Sequence, residues 1–131
     1  PLMEWDGDPQ DFTPASAQAP TVAGKGQVVL ASHKPMLAAG RLQDGAPWLA
    51  GSARRPVLLA SAATLAAAGI TPGADATLET ERGTITLPAA IADLPDSIAW
   101  VPECSTGSVI HENLGGVGTV ATLRATQEVA R

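Results

Sequence analysis

The sequence predicts a mostly β domain whose strands close into a small barrel, with only short helices between them. Short apolar segments separated by Gly- and Pro-containing turns recur along residues 27–124, which is typical of barrels and sandwiches. The clearest helix, the Ala-rich segment 62–68, is short. The chain has three Trp, one Phe and no Tyr, so we expect a core of Ala, Val, Leu and Ile, which suits the narrow interior of a small barrel.

The length of 131 residues accommodates one domain and its tails. The N-terminal segment is acidic and rich in Pro, and such a segment buries too little apolar surface to offset its ordering entropy. Within it, Trp5 and Phe12 either anchor the segment on a neighbouring surface or have no role, and both interpretations stay open. Three parts are predicted: a flexible linker or arm in 1–26, the barrel in 27–124 and a C-terminal tail in 125–131.

Composition argues against several classes of protein. The net charge of −5 and the scattered basic residues do not suit a nucleic-acid-binding surface. No apolar segment is long enough to cross a bilayer, and the N-terminus lacks the pattern of a signal peptide. The single Cys forms no internal disulfide and indicates a reducing compartment. Because the chain begins Pro-Leu-Met, without an initiator methionine, we expect it to be a fragment of a longer chain.

The first half of the chain is predicted to start with two strands and a long loop between them. Residues 28–31 and 56–60 are short apolar strands. We expect a loop over 33–52, with one helical turn at 36–39 that ends at Gly40. Loops of this length are usually functional or lie on a partner.

A capped helix follows the second strand. The Ser61 hydroxyl can accept a hydrogen bond from the first turn of helix 62–68. Gly69 can adopt the left-handed conformation that ends the helix, and Ile70 can fold back onto it. The sequence Thr-Pro-Gly-Ala at 71–74 is typical of a type II turn.

The second half is predicted to consist of strands joined by tight turns, without an internal repeat. We expect Gly83 to supply a positive φ to the turn 81–83, and Pro88 to mark a sheet edge or a bulge. Trp100 is predicted to lie in the core, and a loop with a short helix is predicted over 105–114. The predicted strands are 76–80, 84–87 continued by 89–92, 98–101 and 119–123.

This order of elements resembles the molybdopterin-dinucleotide-binding C-terminal domain of large molybdenum and tungsten oxidoreductases. The shared features are a strand, the capped helix, the turn GITPGAD at 69–75, the hairpin ERG at 81–83 and an acidic turn before the next strand. Within that family the chain is most similar to the G chain of bacterial NADH-quinone oxidoreductase (respiratory complex I). The segments that carry this closer similarity are AGRLQDG at 39–45, LAGSARRPV at 49–57 and RGTITLP at 82–88.

The resemblance implies a double-psi β-barrel, or aspartate-decarboxylase-like fold, without catalytic activity of its own. It implies docking onto the rest of a parent chain and other respiratory subunits, at the cytoplasmic face of the plasma membrane. The parent would hold iron–sulfur clusters elsewhere and take part in electron transfer from NADH to quinone. A cluster needs several thiolates and the chain has one Cys, so we expect no cluster and no metal site here.

An alternative stays open, in which the chain is the molybdopterin-dinucleotide-binding domain of an active molybdenum or tungsten oxidoreductase. The loops 33–52 and 103–118 would then contact the pterin. The first loop offers few polar side chains, so we expect no pterin cofactor. Under the alternative, the contacting residues would be Arg41, Arg54, Arg55 and Ser108.

The candidate interface residues lie in and after the long loop. Arg41, Arg54 and Arg55 could bind an anion or an acidic surface, because a guanidinium binds a carboxylate or phosphate through two parallel hydrogen bonds. Solvated loop charges are the alternative interpretation. Trp48, beside them in sequence, is a candidate interface anchor.

Three weaker patterns also have ordinary structural interpretations. His33, Cys104 and His111 lack the tight spacing of a zinc site, and Cys104 with His111 is an equally weak nucleophile and base pair. The Gly-Ser dipeptides at 51–52 and 107–108 match the bond that a self-cleaving enzyme of this fold cuts, but such dipeptides are common in a Gly-rich chain.

The Gly-rich segments 24–26 and 115–118 precede strands, whereas a dinucleotide-binding fingerprint follows its strand and opens a helix. We interpret both segments as turns. Phosphate binding by their backbone N–H groups is the alternative.

Overall fold

A computed structural model describes residues 22–126, which form a closed six-stranded barrel with a small hairpin beside it. The mostly β barrel predicted from the sequence is confirmed. The predicted arm lies largely outside the described residues, and so does most of the predicted C-terminal tail. The strands are β1 (Gln27–His33), β2 (Leu58–Ala60), β3 (Asp75–Glu79), β4 (Thr84–Ile91), β5 (Ile98–Pro102), β6 (Cys104–Ser105), β7 (Ser108–Val109) and β8 (Val120–Ala125).

The helices are short and lie between the strands. They are a 3-10 turn (Arg41–Gln43), α1 (Pro47–Ala50), α2 (Ala62–Ala67) and α3 (Ile110–Asn113). Within residues 22–126, none of them has the length and apolar character needed to span a bilayer.

The barrel has a two-fold pseudo-symmetry in its connectivity. Its strands follow the order β1-β5-β2-β4-β3-β8, and β8 closes the barrel onto β1. The pairs β1–β5 and β2–β4 are parallel, and the other four pairs are antiparallel. Exchanging the unit β1-β2-α2-β3 with the unit β4-β5-α3-β8 maps each pair onto a pair of the same sense. The sequence shows no repeat, so this symmetry becomes visible only in the structure.

The core follows the two-residue period of the strands. Val28 and Leu30 of β1 point inward, and so do Ala99 and Val101 of β5, because successive side chains of a strand face opposite sides. In the described residues the core consists of Ala, Val, Leu and Ile side chains, without an aromatic residue. The prediction of an aliphatic core is confirmed.

The helix α2 begins and ends as its sequence predicts. The Ser61 hydroxyl accepts a hydrogen bond from Thr64 N–H at 3.1 Å, which caps the first turn. Gly69 has φ of +67°, and Ile70 N–H donates to Leu65 O at 2.9 Å, so the chain reverses and buries the isoleucine side chain. Local chemistry alone therefore fixes both ends of this helix.

Two turns flank β3, and only one of them follows its prediction. Ala74 N–H donates to Thr71 O at 3.0 Å and Gly73 has φ of +89°, as a type II turn requires. Gly83, in the hairpin after β3, is not among the residues with positive φ. A Cβ on Gly83 would lie 2.9 Å from Asn113 O, so this glycine permits a close approach to α3 and does not supply a left-handed turn.

Pro88 was predicted to mark a sheet edge or a bulge. It lies inside β4, which is paired on both sides, so it does not mark an edge. Pro88 is opposite Asp75 at the end of the pairing with β3, and Ala89 begins the pairing with β2. A proline donates no hydrogen bond to a ladder. Pro88 lies where β4 changes its pairing from β3 to β2. The next residue supplies a bond there, since Ala89 N–H donates to Ala74 O at 2.9 Å.

Trp100 does not lie in the core, contrary to the prediction. Its neighbours Ala99 and Val101 face inward, so the period of the strand turns the indole to the outer face of the barrel. There it is half-buried and makes an edge-to-face contact with His33, with ring centroids 4.8 Å apart and an interplanar angle of 62°.

The helical turn predicted at 36–39 is also absent from those residues. Ala39 N–H donates instead to Cys104 O at 3.0 Å, a contact with a distant part of the chain. Gly40 is extended, and the turn begins only after it, at Arg41. A tertiary hydrogen bond therefore displaces the turn that local sequence favours.

Candidate functional site

The long loop 34–57 lies at the barrel end where β1 and β5 finish. These strands are parallel, with His33 opposite Pro102, so their carboxyl ends meet there. Glu103 N–H donates to His33 O at 2.9 Å, and Ala39 N–H donates to Cys104 O at 3.0 Å. These bonds hold the loop against the segment that leads from β5 into the hairpin β6–β7. The loop therefore forms a layer over this end of the barrel.

Two adjoining clefts lie between this loop and the barrel. The larger measures about 520 Å³, and Met36, Leu37 and Leu59 are among its apolar walls. The smaller measures about 400 Å³ and lies under the segment that contains the 3-10 turn. Arg54 and Arg55 line both clefts, so each combines apolar walls with exposed guanidinium groups.

The loop has the opposite charge to the rest of the described chain. Residues 34–57 contain four basic residues and one acidic residue, whereas the remainder of 22–126 contains three basic and seven acidic residues. In this part of the chain Arg124 forms an ion pair with Glu79 at 2.9 Å, and the His111 ring pairs with a Glu103 carboxylate oxygen at 3.3 Å. Neither pair involves a basic residue of the loop, so these charges are available to a partner.

The same loop exposes large apolar side chains. Trp48 is 92% exposed on α1, a helix with no buried residue, and Met36 is 96% exposed. Leu49, next to Trp48, is also exposed. Aromatic, Met and Arg side chains are enriched in protein–protein interfaces, so this composition is typical of a docking surface.

The four residues named under the molybdopterin alternative do not converge on one pocket. Arg54 and Arg55 line the clefts, but Arg41 lines neither and is exposed on the 3-10 turn. Ser108 is fully buried, and its hydroxyl donates to Pro102 O at 2.7 Å. The serine hydroxyl is thus engaged within the fold.

The weaker patterns have structural roles in the described residues. No three His, Cys, Asp or Glu side chains of residues 22–126 form a group that could hold a metal ion. His33 packs against Trp100, and His111 pairs with Glu103. The hydroxyl of Ser52, in the first Gly-Ser dipeptide, donates to Leu49 O, three residues earlier, at 2.7 Å.

Both Gly-rich segments are turns. In the first, Gln27 N–H donates to Gly24 O at 3.0 Å and closes the turn. In the second, Gly115 N–H donates to Ile110 O at 2.9 Å at the end of α3, and Gly118 N–H joins the segment to Leu30 O of β1 at 2.8 Å. Gly115 and Gly116 have φ above 100°, which only glycine adopts readily.

The sequence did not predict the walls of the clefts. Val57 and Leu59 face outward from the barrel beside the buried Leu58, and Met36 and Leu37 meet them from the loop. The alternation of β2 could have indicated the outward pair. The approach of the loop depends on hydrogen bonds across some 65 residues, which no local pattern encodes.

Comparison with solved structures defines the class of fold. Two rationally designed double-psi β-barrel proteins are similar, with TM-scores of 0.51 and 0.52 and 12% sequence identity each. The matches cover 83% and 77% of this chain and 100% and 97% of the designed chains. The chain is a double-psi β-barrel, as the resemblance implied.

Comparison with known sequences identifies the relatives. The chain is 42% identical over 110 residues to the G subunit of NADH-quinone oxidoreductase from Mycobacterium bovis and from Mycobacterium tuberculosis. It is 33% identical over 114 residues to the G subunit from Streptomyces coelicolor. The chain is therefore homologous to a part of the NADH-quinone oxidoreductase G subunit, and the predicted resemblance is confirmed.

The matches cover 84% to 87% of this chain but 14% of each relative, so the chain spans a small part of those proteins. No protein-family model matches the chain.

Proposed function

We propose that this chain is the C-terminal structural and docking domain of the large iron–sulfur G subunit of an NADH-quinone oxidoreductase. The parent takes part in electron transfer from NADH to quinone, and this domain carries none of the redox groups. It binds the rest of the parent chain and other subunits of the complex, at the inner face of the plasma membrane. The homology to the G subunit supports the assignment to the complex.

The observation that carries the docking role is the exposure of Trp48. A tryptophan that is 92% exposed leaves a large apolar surface in water, which binding to a partner would remove. Leu49 lies on the same loop, and so does Arg41, which forms no ion pair within residues 22–126. Buried Trp and Arg side chains are the commonest energetic centres of protein interfaces.

The proposal also assigns the redox chemistry to other parts of the parent. The chain has one thiol, and a cluster requires several. The clefts have apolar walls and are lined by Arg54 and Arg55. Arg41 and Ser108, the other two residues named under the molybdopterin alternative, line neither cleft.

The test uses the tagged full-length parent chain expressed with its partner subunits. The variant Trp48→Ala/Leu49→Ala removes the exposed apolar side chains, and Thr84→Ala/Thr122→Ala changes two exposed strand residues as the matched control. We expect the first variant to recover a smaller share of partner subunits than wild type, with an unchanged iron content, and the control to match wild type.

Equal recovery of partner subunits by the wild type and the Trp48→Ala/Leu49→Ala variant would overturn the docking role. Elemental analysis of the same preparations decides between the proposal and its alternative. Molybdenum or tungsten at near-stoichiometric level in the purified parent chain would favour the cofactor-binding domain.

A further inference from the structure

We propose that the larger cleft under the loop 34–57 binds the acidic, aromatic segment 4–12 of this same chain. The segment reads EWDGDPQDF, with four carboxylates, two aromatic side chains and no basic residue. The segment lies outside the described residues. Its binding adds to the docking role a binding site with a stated peptide ligand.

The chemistry of the cleft favours a ligand with apolar and anionic groups side by side. Its walls include Leu37, Val57 and Leu59, which are only partly buried, so an inserted aromatic ring would remove further apolar surface from water. Arg54 and Arg55 line the same cleft and are exposed. A cleft of about 520 Å³ has room for aromatic side chains of a peptide.

The charge of the segment 4–12 is opposite to that of the loop 34–57. The loop has an excess of basic residues, whereas the remainder of the described chain has an excess of acidic ones. The segment 4–12 has four acidic residues and no basic one. A guanidinium binds a carboxylate through two parallel hydrogen bonds, so acidic residues beside Trp5 and Phe12 match arginines beside apolar walls.

The chain between the segment 4–12 and the start of the barrel is long enough for the segment to reach the cleft. Nine residues lie between Phe12 and Val22, the first described residue, so ten extended steps of about 3.3–3.6 Å each span roughly 33–36 Å. The cleft lies at the far end of β1, whose seven residues extend roughly 23 Å at about 3.3 Å per residue. Because the ligand is tethered, its effective concentration at the cleft is high even when its intrinsic affinity is modest.

The docking role rests on Trp48, Leu49 and Arg41, and none of these side chains lines the cleft. Trp48 and Leu49 line neither cleft, so the loop can hold the segment beneath it and present these side chains to a partner. The segment binds the cleft in the chain without its partner subunits. Failure of this binding would leave the docking role untouched, and failure of the docking role would leave the site.

The test places a nitroxide label on the segment of the full chain and measures methyl broadening by NMR. The label is attached through Asp8→Cys in a Cys104→Ser background, since Cys104 is the one native thiol. Met36 and Leu59 line the cleft, so we expect their methyl signals to broaden. The methyl signals of Leu123, which lies beside the start of β1, should not broaden.

Paired variants separate specific binding from a random approach. Trp5→Ala/Phe12→Ala and Arg54→Gln/Arg55→Gln should each abolish the broadening, and high salt should weaken it because exposed charges are screened. The control Arg82→Gln/Arg124→Gln removes the same charge elsewhere on the barrel and should leave the broadening unchanged. An unshifted Leu123 signal shows that each variant is folded.

Three results would overturn the proposal. The first is the absence of selective broadening in the labelled chain. The second is broadening that survives the loss of both cleft arginines and both aromatic side chains. The third is broadening of unlabelled chains mixed with labelled ones, which would identify a second copy as the source of the segment.

Discussion

The Ser61 hydroxyl donates a hydrogen bond to Asp96 Oδ1 at 2.5 Å and accepts one from Thr64 N–H at 3.1 Å. One side chain thus caps α2 and joins the helix to the turn before β5. The Thr64 hydroxyl extends the network, since it accepts from Ser97 N–H at 2.9 Å. Ser97 has φ of +61°, and a residue other than glycine in this region costs on the order of 1–3 kcal/mol. The network therefore stabilises a strained turn.

Removal of this hydroxyl should destabilise the barrel more than loss of an ordinary cap. An N-cap Ser→Ala change typically costs about 1 kcal/mol, with a range of about 0.5–2 kcal/mol. We expect Ser61→Ala to fall at or above the upper end of that range, because Thr64 and Asp96 both lose a partner. Asp96→Ala keeps the cap and should cost less. Urea titration measures the free energy of unfolding, and equal losses for the two variants would contradict the account.

Gly83 should be intolerant of a side chain for a reason of space. A Cβ there would lie 2.9 Å from Asn113 O, so Gly83→Ala forces β4 and α3 apart, at a cost of about 1–3 kcal/mol. Gly40 is the matched control, because it is extended and a Cβ on it meets nothing within 4 Å. Thermal unfolding should show a lower Tm for Gly83→Ala and little change for Gly40→Ala. Similar Tm values for both would show that the contact relaxes freely.

Substitution of Ser108 tests whether its hydroxyl stabilises the fold or is free to contact a cofactor. Its hydroxyl is fully buried and donates to Pro102 O at 2.7 Å. Ser108→Ala should reduce the free energy of unfolding by about 1–3 kcal/mol, the usual cost of an unpaired buried polar group. The exposed neighbour Thr106 serves as the control, and Thr106→Ala should change little. If Ser108→Ala left stability unaltered, the side chain would be free for another role.

The features predicted correctly are those that local chemistry determines. Ser61 and Gly69 cap α2 through bonds within a few residues, and Gly73 takes the conformation that its turn requires. The aliphatic core follows from the near absence of aromatic residues. Each of these conclusions needs only a short stretch of chain or the composition.

The features that were missed depend on distant contacts. Gly83 faces the backbone of Asn113, thirty positions further along, and the helical turn is displaced by the bond from Ala39 to Cys104. Trp100 is turned outward by the register of β5. The clefts exist because the long loop folds over the barrel end. None of these relationships leaves a pattern in a single sequence.

The most direct test of the docking role is photo-crosslinking from position 48 in the intact respiratory complex. A photoreactive amino acid replaces Trp48, and a second preparation carries it at Thr122, an exposed strand residue, as the control. The account expects crosslinks from position 48 to another part of the parent chain or to a partner subunit, with far fewer from position 122. If position 48 formed no crosslink to the parent chain or to a partner subunit in a fully assembled complex, the docking role would be contradicted.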